Sequence, residues 1–84
     1  PVYPNPFNPV TTILFDLPNI EMLSTASLHV YDLKGRKVET LVEDLTGPGT
    51  HRVHWNAEQY SSGIYFVRLG SGSKIRNQKL ILLK

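Results

Sequence analysis

The sequence has no cysteine, which removes disulfide frameworks, thiolate catalysis and Cys-based zinc sites in one step. It has no run of about 18 apolar residues, so no segment is expected to cross a membrane as a helix, and its first residues are rich in proline rather than basic and then apolar. Excess charge of either sign is also missing: nine Lys and Arg against seven Asp and Glu leave +2, weak electrostatic support for nucleic-acid binding. Length is short as well. Eighty-four residues form one small domain, which buries only about 60–65% of its extended surface and has little stability to spare for an elaborate buried active site. The content is nonetheless 40% hydrophobic, too apolar for a disordered tail. The first residue is Pro1 rather than Met, and the chain is expected to be a piece of a longer precursor whose targeting segment and main domain lie upstream.

Residues able to do chemistry are present but scattered. His51 and His54 are three apart on an expected strand and so point to opposite faces, while zinc needs four ligands overall. There is no Gly-x-Ser-x-Gly elbow, and Ser71 falls in a hairpin rather than in a strand-to-helix turn. Gly47-Pro48-Gly49 lacks the helix and lysine of a phosphate loop. The seven acids lie on turns and solvent faces, not across a cleft as glycosidase chemistry needs. No catalytic residue, metal site or cofactor is assigned, and the chain is not expected to be an enzyme.

Charge is distributed unevenly. Beyond Tyr60 stand five cations, Arg68, Lys74, Arg76, Lys79 and Lys84, with no acid; the first 59 residues hold four cations against seven acids, a net −3. A basic C-terminal quarter reads either as lysines protecting a strand edge from aggregation or as a binding face.

Four of the six prolines lie in Pro1-Val2-Tyr3-Pro4-Asn5-Pro6-Phe7-Asn8-Pro9, which predicts a stiff, extended lead-in. Tyr3 and Phe7 are larger than a plain linker needs, so at least one is expected to pack on the domain. Alternation of period 2 follows: Thr11, Ile13, Phe15 and Leu17 share a side, stopped by Pro18-Asn19. Ala26 to Leu33 and Arg36 to Glu43 flank Asp32-Leu33-Lys34-Gly35, the chemistry of a hairpin turn with a bulge. Thr50 to Ala57 places His51, Val53 and Trp55 on one face; Ile64 to Leu69 follows the Ser61-Ser62-Gly63 turn; Gly70-Ser71-Gly72-Ser73 leads into Lys74 to Leu83. Ile20 to Thr25 is expected as loop. Six strands, or seven if residues 2 to 7 add an edge, predict an all-β, antiparallel sandwich of Greek-key type. Residues 1–9 form the lead-in of this reading and residues 10–84 its single sandwich domain.

The expected core is Ile13, Phe15, Leu28, Val30, Val38, Val53, Trp55, Tyr65, Val67 and Leu69. Tyr65, near a turn glycine, suits a buried ring whose hydroxyl bonds nearby backbone, as in a tyrosine corner. Two strands are apolar on both faces: Ile64 and Phe66 oppose Tyr65 and Val67, and Leu80 and Leu82 oppose Ile81 and Leu83. Such strands are either covered or presented to a partner, for example through strand addition. Tyr31, Tyr60 and Phe66 are the candidate platform if the domain binds carbohydrate instead, and a structural accessory role for an enzyme of which it is part is a further alternative.

In order and spacing, Tyr3-Pro4-Asn5-Pro6-Phe7-Asn8-Pro9, Val30-Tyr31-Asp32-Leu33-Lys34-Gly35-Arg36, Gly49-Thr50-His51, Ser62-Gly63-Ile64-Tyr65-Phe66 and Lys79-Leu80-Ile81-Leu82-Leu83-Lys84 resemble the type A C-terminal sorting domain of type IX (Por) secretion substrates. The resemblance implies an immunoglobulin-like sandwich that routes a larger exported protein through the periplasm to the cell surface or the medium, by recognition and not by catalysis. The partners it implies are the outer-membrane translocon, a sortase-like peptidase and the upstream domain of the same precursor, with no nucleic acid and no membrane insertion. By the same resemblance, Gly63, Tyr65 and Lys79 to Lys84 match the C-terminal recognition signal and Pro4, Asn5 and Pro6 an N-terminal element, with cleavage in or before the lead-in. Asn19 to Thr25 is longer than the tight turn expected there. The immunoglobulin-like domain of flagellar hook-capping proteins, which shares the sheet and the Tyr-Asp-x-x-Gly-Arg hairpin, is a related rival.

Overall fold

A computed structural model describes residues 2–17, 25–45, 47–71 and 74–84. Seven strands form two sheets. The smaller sheet holds β1 (Val2–Tyr3), β2 (Val10–Leu17) and β5 (Gly49–Asn56) in that order; the larger runs β4 (Lys37–Leu45), β3 (Ala26–Asp32), β6 (Gly63–Ser71) and β7 (Lys74–Leu82). All strand pairs within the sheets are antiparallel. The result is the antiparallel β-sandwich that the turn spacing predicts, immunoglobulin-like as the family resemblance implies.

Alternation decides which side of each strand faces inward. On β2, Thr11, Ile13 and Phe15 are buried, opposite Trp55, Val53 and His51 of β5. On β3 and β6, Leu28 and Val30 stand beside Leu69 and Val67. The core cluster joins these to Phe7, Ala57, Tyr65, Leu80 and Leu82; each fully buried Leu or Phe side chain contributes about 1.5–3 kcal/mol. The expected core set is therefore inward, with Val38, Val53 and Leu69 only half-buried at its margin. On the doubly apolar strands, Tyr65, Val67, Leu80 and Leu82 are inward, while Ile64 and Leu83 are exposed.

Asp32 builds the β3–β4 hairpin almost alone. Its carbonyl accepts the Gly35 N–H at 3.0 Å, and Oδ1 accepts the Lys34 and Arg36 N–H groups, each at 2.9 Å. Arg36 Nε donates to Oδ2 at 2.8 Å. Gly35 sits at φ +83°, a conformation open to glycine at little cost. These bonds, the Arg36 N–H first, hold the Asp32 carboxyl below its ordinary value against a partial desolvation penalty. Beyond the turn β4 runs two residues further than its sequence suggests, because register shifts between Ala26 and Leu28, at Leu28/His29 and at Val30/Tyr31, with Asp44 at φ +57°, carry it past Glu43. The expected loop Asn19 to Thr25 lies outside the described residues except for Thr25; of the expected turn Gly70 to Ser73, Gly70 and Ser71 instead continue β6, paired with Ile75 and Lys74, and positions 72–73 lie outside the described residues.

Candidate recognition surface at the joined termini

The lead-in does two things in nine residues. Val2 and Tyr3 pair with Ile13 and Thr12 as the edge of the smaller sheet. The chain then crosses the seam of the sandwich and lies along β7 of the larger sheet, where Phe7 forms a parallel bridge with Leu82. The Phe7 N–H donates to the Ile81 carbonyl and the Leu83 N–H to the Phe7 carbonyl, both at 2.9 Å. Two residues earlier the Asn5 side chain, between Pro4 and Pro6, takes over the role of backbone. Asn5 Nδ2 donates to the Lys79 carbonyl and the Ile81 N–H donates to Asn5 Oδ1, each at 2.9 Å. An asparagine amide, one donor and one acceptor in a plane, reproduces the peptide group it replaces.

Side chains lock this clasp from inside. Phe7 is 3% exposed, with its ring 5.5 Å from that of Trp55, whereas Tyr3 is 79% exposed. Buried Thr11 donates its hydroxyl to the Pro4 carbonyl at 2.6 Å, and the Ala57 N–H donates to the Pro9 carbonyl at 2.9 Å. Around Trp55 the rings of Tyr60 and Tyr65 each lie 5.7 Å away. The Tyr65 hydroxyl donates to the Ser61 carbonyl at 2.7 Å, the tyrosine corner its position predicts. Trp55 Nε1 donates to Glu39 Oε1 at 3.0 Å, and the Tyr60 hydroxyl lies 2.8 Å from the same oxygen. Burial and this carboxylate raise the Tyr60 phenol above its ordinary value. Tyr60 is thus committed to the interior and offers no platform for a sugar. Tyr31 lies opposite Phe66 on the outer face, with the Arg68 guanidinium 4.7 Å from its ring centroid.

The residues singled out as signal elements divide into those that build the surface and those that show on it. Tyr65, Leu80 and Leu82 are buried, Tyr65 opposite Leu80 and Leu82 opposite Gly63; their side chains hold β7 down. Gly63, at φ +156°, is exposed, Asn5 and Ile81 are half-buried, and Pro4, Pro6, Lys79, Leu83 and Lys84 are exposed. Lys84 is tied back: its N–H donates to Ser62 Oγ at 2.9 Å, and its Nζ bonds the Glu58 carbonyl. The two elements, 74 to 76 residues apart, form one surface. Sequence reasoning missed Glu39 and the clasping role of Asn5. The Asn5 signal is a side-chain amide set between two prolines in a lead-in that is expected to pack.

A small antiparallel sandwich with a clasped edge belongs to the class of immunoglobulin-like domains. The sequence pattern of the secretion system C-terminal sorting domain matches residues 1–83. The chain belongs to this family, whose members act as C-terminal sorting signals for type IX secretion on proteins exported to the cell surface or the medium. No curated protein and no solved structure matches the chain significantly.

Proposed function

We propose that the chain sorts its parent by presenting the clasped termini as one folded epitope to the outer-membrane translocon. The observation that carries this reading is the pair of hydrogen bonds from Asn5 to Lys79 and Ile81. Through them the recognised strand has its shape only while the N-terminal element is in place. Lys79, Leu83 and Lys84 supply the exposed cations and apolar group of the epitope, Pro4 and Pro6 its rigid border. Gly63, Tyr65, Leu80, Ile81 and Leu82 act beneath or beside it by fixing β7. The parent reaches the translocon by way of the periplasm, and a sortase-like peptidase acts in or before the lead-in, next to the clasp.

The test is a passenger fused to residues 1–84 in a type IX-competent host. Deleting Lys79 to Lys84 abolishes delivery on this reading, but it also strips buried Leu80 and Leu82 from the core. A second variant, Lys79→Glu with Leu83→Ser and Lys84→Glu, changes only exposed side chains. Its thermal midpoint and protease resistance stay close to the parent's while surface delivery falls at least about tenfold, a change of about 1.4 kcal/mol in effective recognition. Full delivery by that folded variant would overturn the proposal.

A further inference from the structure

We infer that the half of the β7 edge that no described residue covers, Ile75 to Gln78, is a second docking site that takes an acidic, alternately apolar peptide as an added strand. Strand periodicity says which backbone groups are open. Lys79, Ile81 and Leu83 direct backbone groups at the lead-in, so by the period of 2 the N–H and C=O groups of Ile75 and Asn77 point out of the same edge. The lead-in leaves β7 at Asn5 and crosses to pair with β2, and among the described residues the edge is open from there toward Lys74. The same strand thus accepts one extended segment along Lys79 to Leu83 and has room for another beyond it.

The surroundings supply both halves of a strand-addition site. A groove of about 470 Å³ opens between the sheets beside this half of β7, floored by Phe15, Leu28, Val67 and Leu69 and rimmed by Arg76 and Gln78. On the smaller sheet β1 covers β2 only at Thr12 and Ile13, so the mouth is wide. Inward side chains of an added strand would lie over the apolar floor, and outward ones beside Ile75, Asn77 and Lys79. Charge selects the partner. Arg68, Lys74, Arg76 and Lys79 lie on or beside the edge; the one acid in the groove lining, Asp16 on β2, accepts the Thr50 hydroxyl at 2.6 Å, and among the described residues the single ion pair is Asp32–Arg36, on the far hairpin. A second copy of β7 would bring like charges together, which disfavours pairing; carboxylates between apolar residues fit. The binding does not depend on the sorting function, only its consequence for export does.

The experiment uses the full 84-residue chain, labelled with ¹⁵N, and three probes: an alternating glutamate–valine octapeptide, its lysine–valine counterpart, and the glutamate–valine peptide with a central proline. The first shifts the amides of Ile75, Asn77 and Lys79 and of Val67 and Leu69, at least about tenfold more tightly than the other two, and weakens with added salt. Ile75→Pro removes an N–H that faces outward, not one bonded to β6, so the fold persists and binding falls at least about fivefold. Arg76→Glu reverses the peptide preference while leaving Lys79 to Lys84, and hence the epitope of the sorting reading, untouched. Equal binding of the acidic and basic peptides, shifts confined to Phe66 and the outer face, retention of affinity in Ile75→Pro, or no binding of any of the three peptides would each overturn the inference. Binding of anionic lipid vesicles with no response to the peptides would do so as well.

Discussion

The two halves of β7 differ in chemistry and in surroundings. Lys74 to Gln78 is polar apart from Ile75, whereas Lys79 leads into Leu80, Ile81 and Leu82; from Lys79 onward the outer edge is bonded to Asn5 and Phe7, while Ile75 and Asn77 have no such neighbour in the described lead-in. Inward side chains follow the same division. Leu80 and Leu82 are fully buried, but Arg76 and Gln78 rim an open groove. The difference shows that an edge strand's role is set jointly by its own apolar content and by what the chain returns to lay beside it. Here a Pro-rich segment some 75 residues away in sequence (Asn5 to Lys79 and Ile81, 74 and 76 apart) turns half of a strand into interior and leaves the other half as surface.

Substitutions break the comparison in a graded way. Leu82→Ala and Phe7→Ala attack the clasped half at its core and are expected to cost about 2–5 kcal/mol each in denaturant unfolding, whereas Ile75→Ala on the open half falls within about 0.5 kcal/mol. Asn5→Ala removes two backbone-like bonds and leaves the half-buried Ile81 N–H and the Lys79 carbonyl to find water, for a loss of about 1–3 kcal/mol. Asn5→Asp keeps the acceptor for Ile81 and loses the donor, and lies between. Tyr65→Phe deletes the corner hydrogen bond to Ser61 and lowers stability by about 0.5–1.5 kcal/mol.

Two pH effects are smaller and distinguish the interior from the distant hairpin. Tyr60 titrates above the ordinary 10.0 of a phenol, so the folded state holds this proton more tightly than the unfolded state. Its contribution is complete below pH 10 and is lost as pH rises through the folded value. Alkaline unfolding followed by fluorescence of Trp55, its ring neighbour, is expected to shift to higher pH in Tyr60→Phe. Asp32 runs the other way: its lowered value gives stability that is present above about pH 3.9 and lost as pH falls through the folded value. Acid titration of Asp32→Asn should lack this component, with the change confined to the β3–β4 hairpin in amide shifts.

Much of this was legible in the residues. Alternation in Thr11 to Leu17 and in His51 to Trp55 gave the inward faces, and Asp32 with Gly35 gave the hairpin, because each is a local rule with a single physical solution. The place of Tyr65 beside Gly63 announced its corner hydrogen bond. The doubly apolar strands resisted because alternation carries no sign when both faces are apolar; burial of Leu80 and Leu82 rather than Ile81 follows from register with Tyr65 and Gly63, a long-range fact. Glu39 was hidden by the bulges of β4, which break the count that assigns a residue to a face. The clasp was half visible: proline and phenylalanine said that the lead-in packs, but which edge it meets depends on contacts 74 residues apart and more.

Amide hydrogen exchange along β7 tests the joined termini most directly. In the intact chain the Ile81 and Leu83 amides, held by Asn5 and Phe7, exchange far more slowly than those of Ile75 and Asn77 on the open edge. In Asn5→Ala the Ile81 amide is predicted to speed up by at least about tenfold, equivalent to about 1.4 kcal/mol of lost protection, with Ile75 and Asn77 unchanged. Ile81 and Leu83 exchanging in the intact chain as fast as Ile75 and Asn77 would contradict the clasp and the epitope built on it.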